Sequence, residues 1–161
     1  MNYRIIYEDE TGYCRIIFPH ERFKQNWETE QSALARLYQA ALPGICEFIA
    51  CDPDKIPQDT TFRDAWEKGN AKEPIRINFE KAIQIHRQRL EEAANLKIEQ
   101  LNKELELAIE KDNLPQQVAI NRTKNILRTI HEMNLTHCKN VEDIKQSVPA
   151  ELRDVWKAYP L

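Results

Sequence analysis

The sequence predicts an α+β fold: a small N-terminal β-hairpin and α/β unit, then a long antiparallel helical hairpin and short C-terminal helices. Three observations carry this. Two arms rich in β-branched and aromatic residues, Tyr3-Arg-Ile-Ile-Tyr7 and Tyr13-Cys-Arg-Ile-Ile-Phe18, flank the polar stretch Glu8-Asp-Glu-Thr-Gly12, which ends in a turn glycine. From Phe79 to about Lys111 no Gly or Pro interrupts the apolar positions Ile83, Leu90, Ala94, Leu101, Leu105 and Ala108, which recur at helical spacing. Asp112-Asn-Leu-Pro115 then supplies a turn, with proline suited to the first helical position of the next segment.

Taken in order, the two arms pair as a hairpin. Thr29 is a candidate N-cap for a helix over Glu30–Leu42, where Ala33, Leu34, Leu37, Tyr38 and Ala41 share one face, and Pro43-Gly44 stops it. Ile45–Ala50 reads as a third strand, which a helix of that length can return to lie beside the hairpin. Residues 52–69 form an ordered connection containing Pro53 and Pro57. It includes Thr61-Phe-Arg-Asp-Ala-Trp66, whose two aromatics four apart predict a helical turn docked on apolar surface. Ile75–Asn78 is a last short strand, with Asn78 capping the helix that starts at Phe79. The domain boundary is placed between residues 77 and 78.

Thirty-odd helical residues extend about 45–50 Å at 1.5 Å each. That is longer than a small domain is wide, so the apolar stripe needs a partner along most of its length. The next helix supplies it, antiparallel, running to about Met133 through Val118, Ile126, Ile130 and Met133. Residues 80–112 carry eight acidic and six basic side chains, residues 116–133 one acidic and three basic, so the arms are weakly complementary. Exposed pairs of this kind contribute only tenths of a kcal/mol each and act more on register than on stability. The tail, Val141–Val148 and Pro149–Trp156, reads as one or two short helices with Leu152, Val155 and Trp156 as an apolar edge.

Composition bounds the function. A chain of 161 residues with 42% hydrophobic and 30% charged residues and three glycines can bury a modest core and is no large multi-domain enzyme. A net charge of −3 and the absence of a concentrated basic stretch argue against a nucleic-acid partner. Neither a secretory apolar run at the N-terminus nor a membrane-length one elsewhere is present, so an intracellular setting without a membrane partner is expected. Cys14, Cys46, Cys51 and Cys138 show no metal spacing and are expected as free thiols; Cys46 and Cys51 would point to opposite faces of a strand, against a shared metal.

No P-loop, dinucleotide fingerprint, nucleophile elbow, zinc-protease helix or calcium loop occurs, so the chain is expected to be non-enzymatic and to use no metal or cofactor. His86 with Arg89, and His131 with Glu132, come nearest to an acid–base or metal pair across the hairpin, yet histidines in long amphipathic helices are ordinarily seam or surface residues. His137-Cys138, adjacent in a polar loop, is a further candidate metal or nucleophile pair with no second pair near it in sequence. Trp27, Trp66 and Trp156 read as interface anchors or, preferably, core. The stretch Arg89–Leu96 faces either a partner helix of another subunit or its own neighbour.

Ile56-Pro-Gln-Asp-Thr-Thr-Phe-Arg-Asp-Ala-Trp66, with Ala82-Ile-Gln-Ile-His-Arg-Gln-Arg89 after it, resembles a family of small phage and prophage proteins encoded among tail genes. These share an "lPxDrtFRnAW" segment, a helix with the pattern A-x-x-I-H-R-x-R, a second helix and a short tail near a Trp. The resemblance covers roughly residues 45–161. Asp64 stands where the family often has Asn, and the spacer 67–76 is unmatched. What it implies is a context, tail morphogenesis, as a tail-fibre-associated, virion or assembly-chaperone component, and no catalytic residue. It points to other tail or virion proteins as partners, self-association into a homo-oligomer beside them, and the host cytoplasm during assembly or the virion itself as location. Phe62, Arg63, Trp66, His86, Arg87 and Trp156 become the candidate anchor residues, with Phe62 and Trp66 expected to clamp the linker at the base of the helical hairpin near His86 and Arg87. The rival reading is a host intracellular adaptor or regulatory interaction module unrelated to phage.

Overall fold

The computed structural model describes residues 3–20, 29–41 and 47–156. The fold is α+β, and the chain divides into two compact units, one ending at Asn78 and the other beginning at Phe79.

In the first unit, β1 (Arg4–Glu8) and β2 (Cys14–Ile17) pair antiparallel with Ile6 opposite Ile16. Asp9 closes their turn. Its Oδ1 accepts from the backbone N–H of Thr11 and Tyr13, both at 3.0 Å, and its Oδ2 accepts from Arg15 Nε at 2.6 Å. These bonds, that from the Thr11 hydroxyl foremost, hold the Asp9 carboxyl well below the usual carboxylate range. Gly12 takes the left-handed conformation the turn requires, at φ 79°. Helix α1 (Glu30–Ala41) starts at Thr29, whose Oγ1 accepts from Ser32 N–H at 3.2 Å. Strand β3 (Phe48–Cys51) then pairs antiparallel with β1, giving the order β2-β1-β3. It begins later and ends one residue later than the sequence pattern predicts; Leu42, Pro43-Gly44, Ile45, Cys46 and Trp27 lie outside the described residues.

The connection after Cys51 is ordered, as expected, through a 3-10 turn at Pro53–Lys55. The Thr61–Trp66 segment departs from expectation: only Arg63–Ala65 form a 3-10 turn, and Trp66 opens β4 (Trp66–Lys68). The reason is pairing. β4 lies antiparallel to β5 (Ile75–Ile77), Trp66 opposite Ile77, so its backbone is committed to a ladder instead of a helix. Residues 69–74 between them fold as the turn of this second hairpin, within the stretch 67–76 that the resemblance leaves unmatched. Asn70 Oδ1 accepts from Lys72 and Glu73 N–H, and an added Cβ at Gly69 would sit 2.0 Å from the Glu73 carbonyl oxygen. Ile6, Cys51, Trp66 and Ile75 form the buried cluster of this unit.

The second unit is built on α2 (Phe79–Glu110), 32 residues without a break. Its buried positions, Ala82, His86, Leu90, Ala93, Ala94, Leu101 and Ala108, trace one seam. Four of the seven are alanine, which lets a neighbouring helix approach closely. At the turn Asp112 adopts φ 50°, and Asn113 caps α3 (Leu114–Arg128) by accepting from Gln116 N–H at 3.2 Å. The second helix is shorter than its apolar pattern predicts and ends at Arg128, where Thr129 Oγ1 donates to the Ile126 carbonyl and a 3-10 turn, Ile130–Glu132, follows. Helix α4 (Val141–Gln146) is capped by Asn140, which accepts from Asp143 N–H, while Asp143 accepts from Lys139 N–H. A last 3-10 turn at Ala150–Leu152 buries Leu152.

Candidate functional site

Two of the sequence-predicted anchors meet in the second unit. His86 is fully buried on α2, and its Nε2–H donates to the Ser147 carbonyl at 3.0 Å, beyond the end of α4. Trp156 stands edge-on to the imidazole, ring centroids 5.6 Å apart at 70°. Desolvation lowers the His86 pKa, the Arg89 charge adds to this, and the Ser147 bond opposes it. His86 is therefore a seam residue that ties the C-terminal segment to the long helix. Arg87, its neighbour, is exposed. Lys97 on α2 pairs with Asp154 and fixes the same segment one step further along.

Phe62, Arg63 and Trp66 belong to the first unit. Phe62 and Trp66 are buried, Arg63 is exposed. Trp66 Nε1 is buried without a hydrogen-bond partner among the described residues, a desolvation cost that the burial of its ring must exceed.

His137 and Cys138 come together with a residue the sequence reading passed over, Ser147. His137 Nε2 lies 3.1 Å and Cys138 Sγ 3.3 Å from Ser147 Oγ. The hydroxyl proton of Ser147 is committed to the Asp143 carbonyl at 2.7 Å, which leaves Oγ to accept from imidazole N–H and thiol. In that proton arrangement the hydroxyl has no proton to yield to a base, so the trio braces the loop before α4 against its end. An open cavity of about 490 Å³ lies beside it, lined by Met133, His137, Ser147 and Val148 among others. His131 is exposed, its Nε2 3.7 Å from Glu132 Oε1. Among the described residues no group of three His, Cys, Asp or Glu is placed to hold a metal, and no helix is long and apolar enough to cross a membrane.

The outside of the helical hairpin carries exposed apolar side chains. Sequence periodicity placed Val118 and Ile126 on the seam, but they are 68% and 41% exposed, and the seam of α3 is Ile120, Lys124 and Leu127. Leu114 is 63% exposed beside them, and Leu96, Leu107 and Ile109 of α2 are more than half exposed. The signal was in the sequence: α3 carries two sets of apolar residues at helical spacing, Ile120 with Leu127 and Leu114 with Val118 and Ile126. Only the position of α2 decides which is covered. A comparison with protein-family models, curated proteins and solved structures finds no match to the chain.

Proposed function

We propose that the protein is a non-enzymatic binding protein that joins other proteins through the outer faces of its helical hairpin. In the setting its resemblance implies, these are phage or prophage tail proteins, and the protein acts in the host cytoplasm during tail assembly or as a virion component. One observation carries the reading: six large aliphatic side chains stand exposed on two helices whose shared seam is already filled. Single exposed apolar residues are ordinary, whereas a set of them on one paired element marks an interaction surface.

The test is mass spectrometry of purified particles of the source phage or induced prophage against the cleared lysate, followed by pull-down with the tail proteins. Stoichiometric presence in particles makes it a structural component. Capture of a tail protein from lysate alone makes it an assembly factor. Capture of host proteins only, with no tail protein, replaces the reading with a host adaptor.

A further inference from the structure

We propose that residues 147–156 form an acid-released strap on α2, closed while His86 is neutral and let go when that imidazole takes up a second proton, with the α2–α3 hairpin staying folded. The proposal concerns the helical unit alone and does not depend on which partners the hairpin takes.

The segment is built to lift as one piece. It holds a single 3-10 turn, and the N–H groups of Leu152, Arg153, Val155 and Trp156 all donate within it, to the carbonyls of Pro149, Ala150 and Leu152. Separating it from α2 breaks none of these bonds. Four side-chain contacts hold it down: the His86 bond to the Ser147 carbonyl, the Trp156 ring against the imidazole, the Lys97–Asp154 pair, and Leu152 buried in the cluster with Leu90 and Ala94. Two of the four pass through one ring, and they come from the first and last residues of the strap.

His86 is fully buried, with Ser147 and Trp156 standing against it. A cation enclosed there gives up its hydration, and opening the strap returns it to water. Burial opposes a charge on the ring most, Arg89 three residues along α2 adds to this, and the Ser147 bond works the other way. On the elements packed against the ring the charged groups are engaged with one another. Lys145 of α4 lies 3.9 Å from Glu142, Asp143 accepts from the Lys139 N–H, and Asp154 of the strap pairs with Lys97. Glu151 of the strap is half-buried and Arg153 exposed. The equilibrium therefore tilts toward the open strap as pH falls through the folded His86 value, below the ordinary one. A second imidazole, His137, lies 3.1 Å from the Ser147 hydroxyl, so the test separates the two.

Hydrogen exchange of the full chain, read by mass spectrometry at neutral and mildly acidic pH and corrected for the intrinsic pH dependence of exchange, tests this. The amides of residues 150–156 should lose protection several-fold on acidification, while those of residues 120–127 in α3 keep theirs. His86→Gln retains an amide able to donate to the Ser147 carbonyl but takes up no proton, and should abolish the loss. His137→Gln should leave it in place. Trp156→Ala, which weakens the closed state at a group that does not titrate, should speed exchange of the strap by the same factor at both pH values. No loss in the parent, an equal loss in α3, a loss that survives His86→Gln, or one that disappears with His137→Gln overturns the proposal. Should His86→Gln fail to fold, NMR titration of the His86 ring in the parent decides: a midpoint coinciding with the loss of protection supports the strap, and one lying elsewhere overturns it.

Discussion

The sheet unit and the helical unit handle apolar surface in different ways. In the first, β1 is the central strand and both its faces are covered: Ile6 joins Trp66 and Ile75, and Ile5, pointing the other way, is equally buried. Two of its exposed aromatics lie under cations, Phe18 under Arg4 at 4.8 Å and Tyr13 under Arg15 at 5.7 Å. In the helical unit four of the seven buried positions of α2 are alanine, and big aliphatic side chains of both helices stand exposed. The difference follows from geometry. A strand has two faces, and two layers suffice to hide them, whereas one neighbour covers only about a 100° stripe of a helix. A helix with apolar residues all round is left needing a further partner.

Stability measurements on single variants can break this contrast or sharpen it. Trp66→Ala should have the largest effect, a loss of about 3–5 kcal/mol in denaturant unfolding, as for other buried aromatics. Leu127→Ala on the seam of α3 should lose about 2–5 kcal/mol, while Val118→Ala on the same helix stays within about 0.5 kcal/mol. Equal losses at the two positions would mean that the outer face is packed and the contrast false. Gly69→Ala, which forces a Cβ onto the Glu73 carbonyl, should lower stability by about 1–3 kcal/mol through the second hairpin alone.

A smaller effect tracks pH. His86 has a lowered pKa in the folded chain, so between that value and the ordinary one of 6.5 the unfolded chain binds more protons. Its contribution to stability is present above pH 6.5 and is lost as pH falls through the folded value. Thermal melts at mildly acidic and neutral pH should show this slope, and His86→Gln should flatten it. The smallest change is expected for Asp154→Asn, whose pairing with Lys97 is exposed on the acid's side; a melting curve indistinguishable from the parent's is the expected result.

Much of the fold was legible because its signals are local. The Gly12 turn between two β-branched arms, the unbroken α2 and the Asp112–Pro115 turn each depend on residues close in sequence. So does the cap at Thr29. Elements set by distant partners were less legible. Trp66 reads as part of a helical turn until β5 pairs with it, and α3 reads five residues too long until Thr129 turns its hydroxyl on the Ile126 carbonyl. At the candidate sites, His86 and Trp156 were singled out separately, but their contact spans seventy positions and no local pattern reports it. Ser147 carried no signal at all; it matters only because α4 brings it back to His137 and Cys138.

The sequence by itself determined which segments could be strands and helices, where the turns fall, and that the long helix had to find an apolar partner, because period, capping and turn chemistry act within a few residues. Only the tertiary structure decided which of two apolar stripes on α3 is hidden. Both have helical spacing and carry large aliphatic residues. The choice rests on how closely the alanine seam of α2 lets Ile120 and Leu127 approach, a property of two helices together and of neither alone.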